Sequence, residues 1–181
     1  MTDSKEFKDR YRKTIGLFAT GVSVLLAEKD GEIRGMTANA VTSLSLDPTL
    51  LIVCPSKKSR FSGLIEPGGT FSVNILGDHQ EDVSNHFAKT GDKSLQIETG
   101  EPYPVVRWGE GGLAPRLEDC ICALACRVQQ VHDGGDHWIV VGEVCDLYDL
   151  EGELWPLLFF RGRYQHPSRD AGQRPAADPL S

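Results

Sequence analysis

The sequence lacks the segments that would carry a protein into or across a membrane. Its longest apolar runs, at 24–27 and 50–54, are much shorter than the roughly 20 residues of a membrane-spanning helix. The N-terminal segment MTDSKEFKDR is charged and has none of the apolar stretch that marks a signal peptide. We therefore predict a soluble, cytoplasmic protein with no membrane partner.

Sequence signatures of several enzyme classes are also missing. The chain has no G-x-S-x-G nucleophile elbow, no Walker loop and no G-x-G-x-x-G between a strand and a helix. A nicotinamide dinucleotide, if it is used, is therefore not held by a Rossmann fold. The net charge of −7 over 181 residues argues against nucleic acid as a partner.

Cysteine is present but predicts neither a disulfide framework nor a metal site. The five cysteines are an odd number, and the chain has no secretion signal. The sulfurs of CICALAC (120–126) are predicted on one strand face with Leu124 and Val128, where cysteine acts as a small apolar residue. The five histidines are scattered and supply no second ligand pair at zinc spacing.

A ladder of short strands follows a predicted opening helix. Apolar residues recur about once per helical turn over residues 4–18, which predicts an amphipathic helix. Turn signals separate the apolar strands that follow, at residues 30–31, 47–48, 132–135 and 151–152. Tight turns between successive strands predict a largely antiparallel sheet. Two further helices are predicted near 59–65 and over 79–91.

About seven strands with few helices favour one mainly β domain over 1–165, built as a closed or nearly closed antiparallel barrel. A helix-rich α/β sandwich is the alternative, but the helices are too few to cover both faces of a parallel sheet. Residues 91–115 predict a long loop or lid with a short ordered piece. Residues 166–181 predict a flexible tail, or an arm that becomes ordered only against a partner.

The stretch 35–45 carries no charge on either face of a predicted alternating strand. One face holds four polar residues, Thr37, Asn39, Ser43 and Ser45. Small neutral hydrogen-bonding groups suit a neutral, flat ligand, although Ser and Thr are also common on exposed edge strands. A second such strand at 70–76 has Asn74 on its polar side, and it could line the same groove or face water.

Basic residues gather in the segment CPSKKSRF (54–61) of an otherwise acidic chain. Hydroxyl groups, backbone amides at a short helix N-terminus and cations would together suit a phosphate group. The residues that would supply these groups are Ser56, Lys57, Lys58, Ser59 and Arg60. The alternative is a serine N-cap beside a solvated basic turn.

His137 follows a glycine turn at the start of a predicted strand. From that position a neutral imidazole can hydrogen-bond a carboxamide or carry a proton. The alternative is a turn histidine that caps its own hairpin.

Seven segments, taken in order, resemble one protein family. They are FATGVSVL (18–25), GMTANAVTSLSLDP (35–48), LIVCPSKKSRF (51–61), FSVNIL (71–76), HFA (86–88), GDH (135–137) and LLFFRGRY (157–164). Together they resemble the flavin reductase-like proteins of the FMN-binding split-barrel fold, which include the NAD(P)H:flavin oxidoreductases of two-component monooxygenases. The chain departs from the pattern at 57–58, Lys-Lys, where small hydroxyl residues are frequent.

The resemblance implies a mainly β fold, an antiparallel split β-barrel with a few flanking helices. It also implies flavin contacts along the neutral strand and the basic segment, with Phe87 near the ring or at a dimer interface. The implied flavin-binding residues are Thr37, Ala38, Asn39, Ala40, Val41, Thr42, Ser43, Ser56, Lys58, Ser59, Arg60, Asn74 and Phe87. His137 would flank the nicotinamide as the catalytic residue.

The activity implied by the resemblance is reduction of a flavin by NADH or NADPH. FMN is the implied cofactor, with FAD as the alternative, and a homodimer that supplies reduced flavin to a partner monooxygenase is expected. Two other functions stay open. One is a flavoprotein with tightly bound FMN that acts on its own substrate, and the other is a non-catalytic module for another planar ligand such as haem.

Overall fold

The computed structural model of the protein describes residues 4–89, 103–149 and 155–167. Two α-helices, one short 3₁₀ turn and twelve strands lie in these ranges. In chain order they are α1 (Lys5–Ile15), β1 (Thr20–Gly21), β2 (Ser23–Lys29), β3 (Glu32–Ala38), β4 (Val41–Leu46), β5 (Thr49–Val53), η1 (Phe61–Leu64), β6 (Thr70–Ile75), α2 (Glu81–Ala88), β7 (Val105–Trp108), β8 (Ala114–Leu117), β9 (Cys122–Gly134), β10 (His137–Asp149), β11 (Leu158–Phe160) and β12 (Arg163–Gln165).

The main sheet has seven strands and curls until its two edges meet. Its strand order is β3-β2-β6-β9-β10-β5-β4, and every pair is antiparallel. A flat sheet of this size would be about 28 Å wide. Only Asn39 and Ala40 join the edge strands β3 and β4, and so short a link spans at most about 11 Å. The sheet must therefore close on itself, which confirms the predicted mainly β, antiparallel barrel.

Smaller sheets and tight hairpins complete the fold. Strands β1, β11 and β12 form one sheet, and β7 pairs with β8. Asp30 (φ 54°) and Gly31 (φ 80°) are both left-handed, as a two-residue type I′ hairpin turn requires. Gly135 (φ 85°) makes the turn between β9 and β10. The predicted turn at 151–152 lies outside the described residues, as do residues 91–102 of the predicted lid and residues 168–181 of the predicted tail. The rest of the predicted lid contains β7 and the start of β8.

The core has two halves, one inside the barrel and one beneath helix α2. Strand β2 serves both, because Leu25 belongs to the inner cluster and Leu26 to the outer one. Phe61, from η1, is fully buried in the inner half. Helix α2 packs closely on β3 because Gly35 has no side chain: a Cβ there would lie 2.7 Å from atoms of Leu26 and Phe87.

The predicted opening helix is confirmed as α1. Ser4 caps it, since its Oγ accepts a 3.1 Å hydrogen bond from the backbone N–H of Phe7. The helix has no buried residue, so its apolar face is uncovered in the single chain. Of the helices in the described ranges, none is long and apolar enough to span a membrane.

Two sequence predictions about local structure are wrong in detail. The strand predicted over 35–45 breaks at Asn39 and Ala40, and a register shift follows between Ser43 and Ser45. The two-sided alternation therefore does not continue along β4, where Leu44 is about half exposed. The helix predicted near 59–65 is only the four-residue 3₁₀ turn η1.

The cysteines are free thiols. Cys126 lies in the inner core, whereas Cys120 precedes β9 and lies in the outer core, so the predicted common face does not include it. Burial raises the pKa of Cys120 to about 11 and that of Cys126 to about 12. In the described part of the chain, no group of three His, Cys, Asp or Glu residues could hold a metal ion.

Candidate functional site

Three segments that are distant in sequence meet on one side of the barrel. They are the link 39–40, the turn 54–60 and the hairpin tip 134–138. The backbone N–H of Cys54 donates to the carbonyl of Ala40 at 3.1 Å, and Trp138 N–H donates to the carbonyl of Pro55 at 2.9 Å. The turn 54–60 is therefore hydrogen-bonded to both the link and the hairpin tip, and it lies between them.

The link and strand β4 present neutral polar side chains outward. Asn39, Thr42 and Ser43 are exposed, as is Ala40. Val41 is half-buried against the inner core. β4 pairs with β5, and its first residue, Val41, lies opposite Val53, so the start of β4 lies beside the turn 54–60 that follows β5.

Two residues just before the link serve the fold. Ala38 is buried in the inner core. The hydroxyl of Thr37 donates a 2.6 Å hydrogen bond to the carbonyl of Ser84, so it ties β3 to α2. The only hydroxyl proton of Thr37 is thereby used within the protein.

Hydroxyl groups organise the turn 54–60 from within. The carbonyl of Ser56 accepts hydrogen bonds from the hydroxyls of Ser59 (2.8 Å) and Ser62 (2.7 Å), and Ser59 Oγ accepts from Ser62 N–H at 3.2 Å. Ser56 Oγ accepts from Lys58 N–H at 3.3 Å. The predicted phosphate-binding helix N-terminus is thus a short turn, and the Ser59 hydroxyl is engaged in holding it.

The cations of this turn are not equivalent. Lys58 and Arg60 are exposed. Lys57 is half-buried: it forms an ion pair with Asp133, and its Nζ lies 4.4 Å from the ring centroid of Trp138. Two exposed cations next to neutral polar groups therefore face outward at this corner.

His137 begins β10 and pairs with its neighbour Asp136. Its Nδ1 lies 2.7 Å from Oδ1 of Asp136. A carboxylate only accepts, so Nδ1 donates the proton of this hydrogen bond and Nε2 takes no part in it. The pKa of Asp136 is lowered, first by the hydrogen bond from His137 and then by the charge of His137, with a smaller contribution from Lys58. Nearly half of the His137 side chain is exposed.

Asn74 and Phe87, both predicted to bind the flavin, are buried in the core. The Asn74 amide donates to the carbonyl of Val24 (3.0 Å) and to Ser72 Oγ (2.9 Å), and its oxygen accepts from Leu117 N–H (2.9 Å). The amide of Asn74 is fully buried, and its hydrogen bonds connect neighbouring strands in the core. Phe87 is on α2, and its side chain belongs to the outer core.

Sequence reasoning missed the partners of the site residues. Asp136 is visible in the GDH segment, but its bond to His137 is not. The contacts of Lys57 with Asp133 and Trp138 have no signal in the sequence, because they join positions about 80 residues apart. Their contact follows from the pairing of the turn 54–60 with the hairpin tip.

The chemistry of these groups fits a planar heteroaromatic ligand with an anionic tail. Amide and hydroxyl groups can bond the polar edge of such a ring, and cations can pair with a phosphate. Burial raises the pKa of the Cys54 thiol, so the site offers no reactive thiolate there. The residues therefore fit a flavin, with binding and orientation as the tasks of the protein.

Comparison with known proteins identifies the class. The profile of the flavin reductase like domain matches residues 15–168. The chain is 36% identical over 157 residues to the reductase subunit HsaB of a flavin-dependent monooxygenase from Rhodococcus jostii (strain RHA1), covering 86% of this chain and 75% of that protein. It is also 36% identical over 157 residues to an NADH-dependent flavin reductase from a Rhodococcus species, covering 85% and 83%.

A solved structure gives the same result for the fold. The Streptomyces globisporus C-1027 NADH:FAD oxidoreductase SgcE6, in complex with NAD and FAD fragments, superposes with a TM-score of 0.79 at 31% identity, covering 93% of this chain and 97% of the other. The fold is thus that of a flavin-reducing split barrel. The chain belongs to the flavin reductase-like family.

Proposed function

We propose that the protein is a cytoplasmic enzyme that oxidises NADH, reduces a flavin and releases the reduced flavin to a separate flavin-dependent monooxygenase. One observation supports this most. The neutral link and β4, the basic turn 54–60 and the hairpin tip with His137 are joined by backbone hydrogen bonds into one surface. The names of the relatives, which include reductase subunits and an NADH-dependent flavin reductase, agree with this activity.

The roles of the residues follow from their exposure and bonding. Asn39, Thr42 and Ser43 would contact the polar edge of the ring, and Lys58 and Arg60 would pair with the flavin phosphate. A bound flavin would supply the hydride-accepting ring. His137, with Nδ1 held by Asp136, would present Nε2 to the nicotinamide carboxamide. We leave Asn74 and Phe87 out of this site because they are buried.

Little acid–base chemistry is required of the side chains. Transfer of hydride between two bound rings depends on their relative position and on exclusion of water. The phosphate is common to FMN and FAD, so the two cations would serve either flavin. NADH is proposed as the reductant because two of the similar proteins are named for it.

The decisive experiment is anaerobic oxidation of NADH by the purified protein with riboflavin, FMN or FAD. We expect stoichiometric flavin reduction, a lower KM for phosphorylated flavins than for riboflavin, and loss of flavin on dialysis. No NADH oxidation with any of the three flavins would contradict the proposal. A flavin retained through dialysis with slow NADH turnover would favour an enzyme with its own substrate, and a Soret band would favour a haem protein.

We also propose that the protein is a homodimer. The apolar face of α1 is uncovered, and Leu46 on β4 is 85% exposed. A groove of about 370 Å³ lies beside it, lined in part by Leu44, Leu50 and Val141. Exposed apolar side chains on two elements suit a protein interface, and a second copy of the chain would cover them. Since β4 also carries Thr42 and Ser43, the interface would adjoin the flavin site.

A further inference from the structure

Lys57 is bound into the protein, unlike the exposed Lys58 beside it. Only 27% of its side chain is exposed. Its ammonium group forms an ion pair with Oδ2 of Asp133 and lies over the ring of Trp138. Its backbone N–H donates to the carbonyl of Asp136 at 3.0 Å. Lys57 therefore contacts the hairpin tip on both sides of its turn.

Asp133, the ion-pair partner of Lys57, also forms a hydrogen bond within the hairpin turn. Its Oδ1 accepts a 2.9 Å hydrogen bond from Gly135 N–H, inside the turn, while Oδ2 pairs with Lys57. The pKa of Asp133 is lowered, first by the hydrogen bond from Lys57 and then by that from Gly135. Asp133 is therefore charged at neutral pH, and the pair is intact there.

The contact joins two parts of the proposed site. The turn 54–60 carries Lys58 and Arg60, proposed for the flavin phosphate, and the hairpin tip carries His137, proposed for the nicotinamide. An isolated bridge between Ser56 and His137 is the backbone part of the same junction. Hydride transfer requires reacting atoms about 3–3.5 Å apart, so the relative position of these two segments affects the rate.

We propose that Lys57 is a positioning residue, which with Asp133 and Trp138 fixes the nicotinamide-facing hairpin against the flavin-binding turn. This inference rests on the proposed function. It assigns the two adjacent lysines different tasks, because the ammonium group of Lys57 is already paired with Asp133 and lies over Trp138, whereas Lys58 is exposed. Lys58 is left as the phosphate-facing lysine.

The test compares Lys57→Met, Lys57→Arg and the exposed ion-pair control Lys29→Met. Lys57→Met keeps the apolar stem but removes the charge. We expect kcat/KM for NADH at saturating FMN to fall about three- to ten-fold, the range for a surface ion pair with a cation–π contact. Binding of FMN should change less than about two-fold. Lys57→Arg should restore the rate, and Lys29→Met should leave it unchanged.

A double-mutant cycle tests whether the contact acts as a unit. Asp133→Asn should lower kcat/KM like Lys57→Met, and the double variant should be no worse than either single variant. Additive losses would overturn the proposal. So would a Lys57→Met variant that binds FMN more weakly than wild type but binds riboflavin equally well, because Lys57 would then contact the phosphate.

Hydrogen exchange gives a readout that does not depend on activity. In Lys57→Met, amides at 134–138 should exchange faster than in the wild type, while those of the distant hairpin β2–β3 should not. If the wild type oxidises no NADH, the proposed function fails, and exchange still decides whether Lys57 holds the hairpin. Unchanged exchange at 134–138 would overturn the positioning role.

Discussion

Hydroxyl groups near the site fall into two sets that the residue type does not distinguish. Thr37 and Ser59 use their hydroxyls to bond carbonyls of α2 and of their own turn. Thr42 and Ser43 lie exposed on β4, and the Thr42 hydroxyl donates only a long hydrogen bond of 3.4 Å, to the carbonyl of Ser43. A hydroxyl has one proton, so a group that has donated it internally can only accept from a ligand. Ligand contacts should therefore depend mainly on the second set.

The role of His137 can be tested by substitution at that residue. His137→Ala removes the proposed contact to the nicotinamide, so KM for NADH should rise about three- to ten-fold, the range for loss of one hydrogen bond. The Kd for FMN should change less, because the flavin contacts are on other segments. Steady-state kinetics and fluorescence titration measure the two quantities.

His137→Gln is the matched control, since glutamine keeps a hydrogen-bonding group of similar reach. It should restore part of the NADH affinity. Equal losses of NADH and FMN affinity in His137→Ala would contradict the assignment.

At the scale of elements, the outer core depends on bonds between strands as well as on apolar contact. Asn74, on β6, bonds to the carbonyl of Val24 on β2 and to the N–H of Leu117 on β8. One side chain thus links three strands of two sheets. The surrounding protein excludes water, so these bonds have no solvent replacement.

Substitution of Asn74 should therefore affect stability. Asn74→Ala leaves a buried carbonyl and a buried N–H without their partners, which should cost about 2–4 kcal/mol of unfolding free energy. Urea denaturation measures this loss. The exposed Asn85→Ala on α2 is the control and should cost less than about 0.5 kcal/mol. A loss of unfolding free energy below about 1 kcal/mol for Asn74→Ala would contradict a structural role of these hydrogen bonds.

The whole molecule leaves apolar surface uncovered in two places that one partner could cover. Helix α1 contributes its apolar face, exposed Phe18 follows it in the chain, and β4 contributes Leu44 and Leu46. In the described part of the chain, no other element buries the apolar side chains of α1 or those of Leu44 and Leu46. A second copy of the chain supplies such a surface by symmetry.

The proposed dimer has a direct test. Light scattering should give about twice the chain mass of 19.9 kDa for the wild type. Leu46→Lys places a charge in the interface and should shift the mass toward that of one chain. Leu147→Lys, at another exposed leucine, is the control and should remain dimeric. A wild-type mass of one chain at micromolar concentration would contradict the dimer.

Local signals in the sequence determined the elements of this protein. The apolar spacing after Ser4 predicts α1, and the Asp30-Gly31 pair predicts the first hairpin. These signals succeed because capping and left-handed turns depend on neighbouring residues. The resemblance of ordered segments predicted the split barrel and the family, both of which are confirmed.

Only the tertiary structure decided which side chains of these segments face a ligand. Asn74 and Asn39 stand in similar alternating stretches, yet one is enclosed between strands and the other is exposed. Lys57 and Lys58 are adjacent, yet only Lys57 meets Asp133. The physical reason is that burial and pairing depend on segments tens of residues away, which meet only when the sheet closes into a barrel.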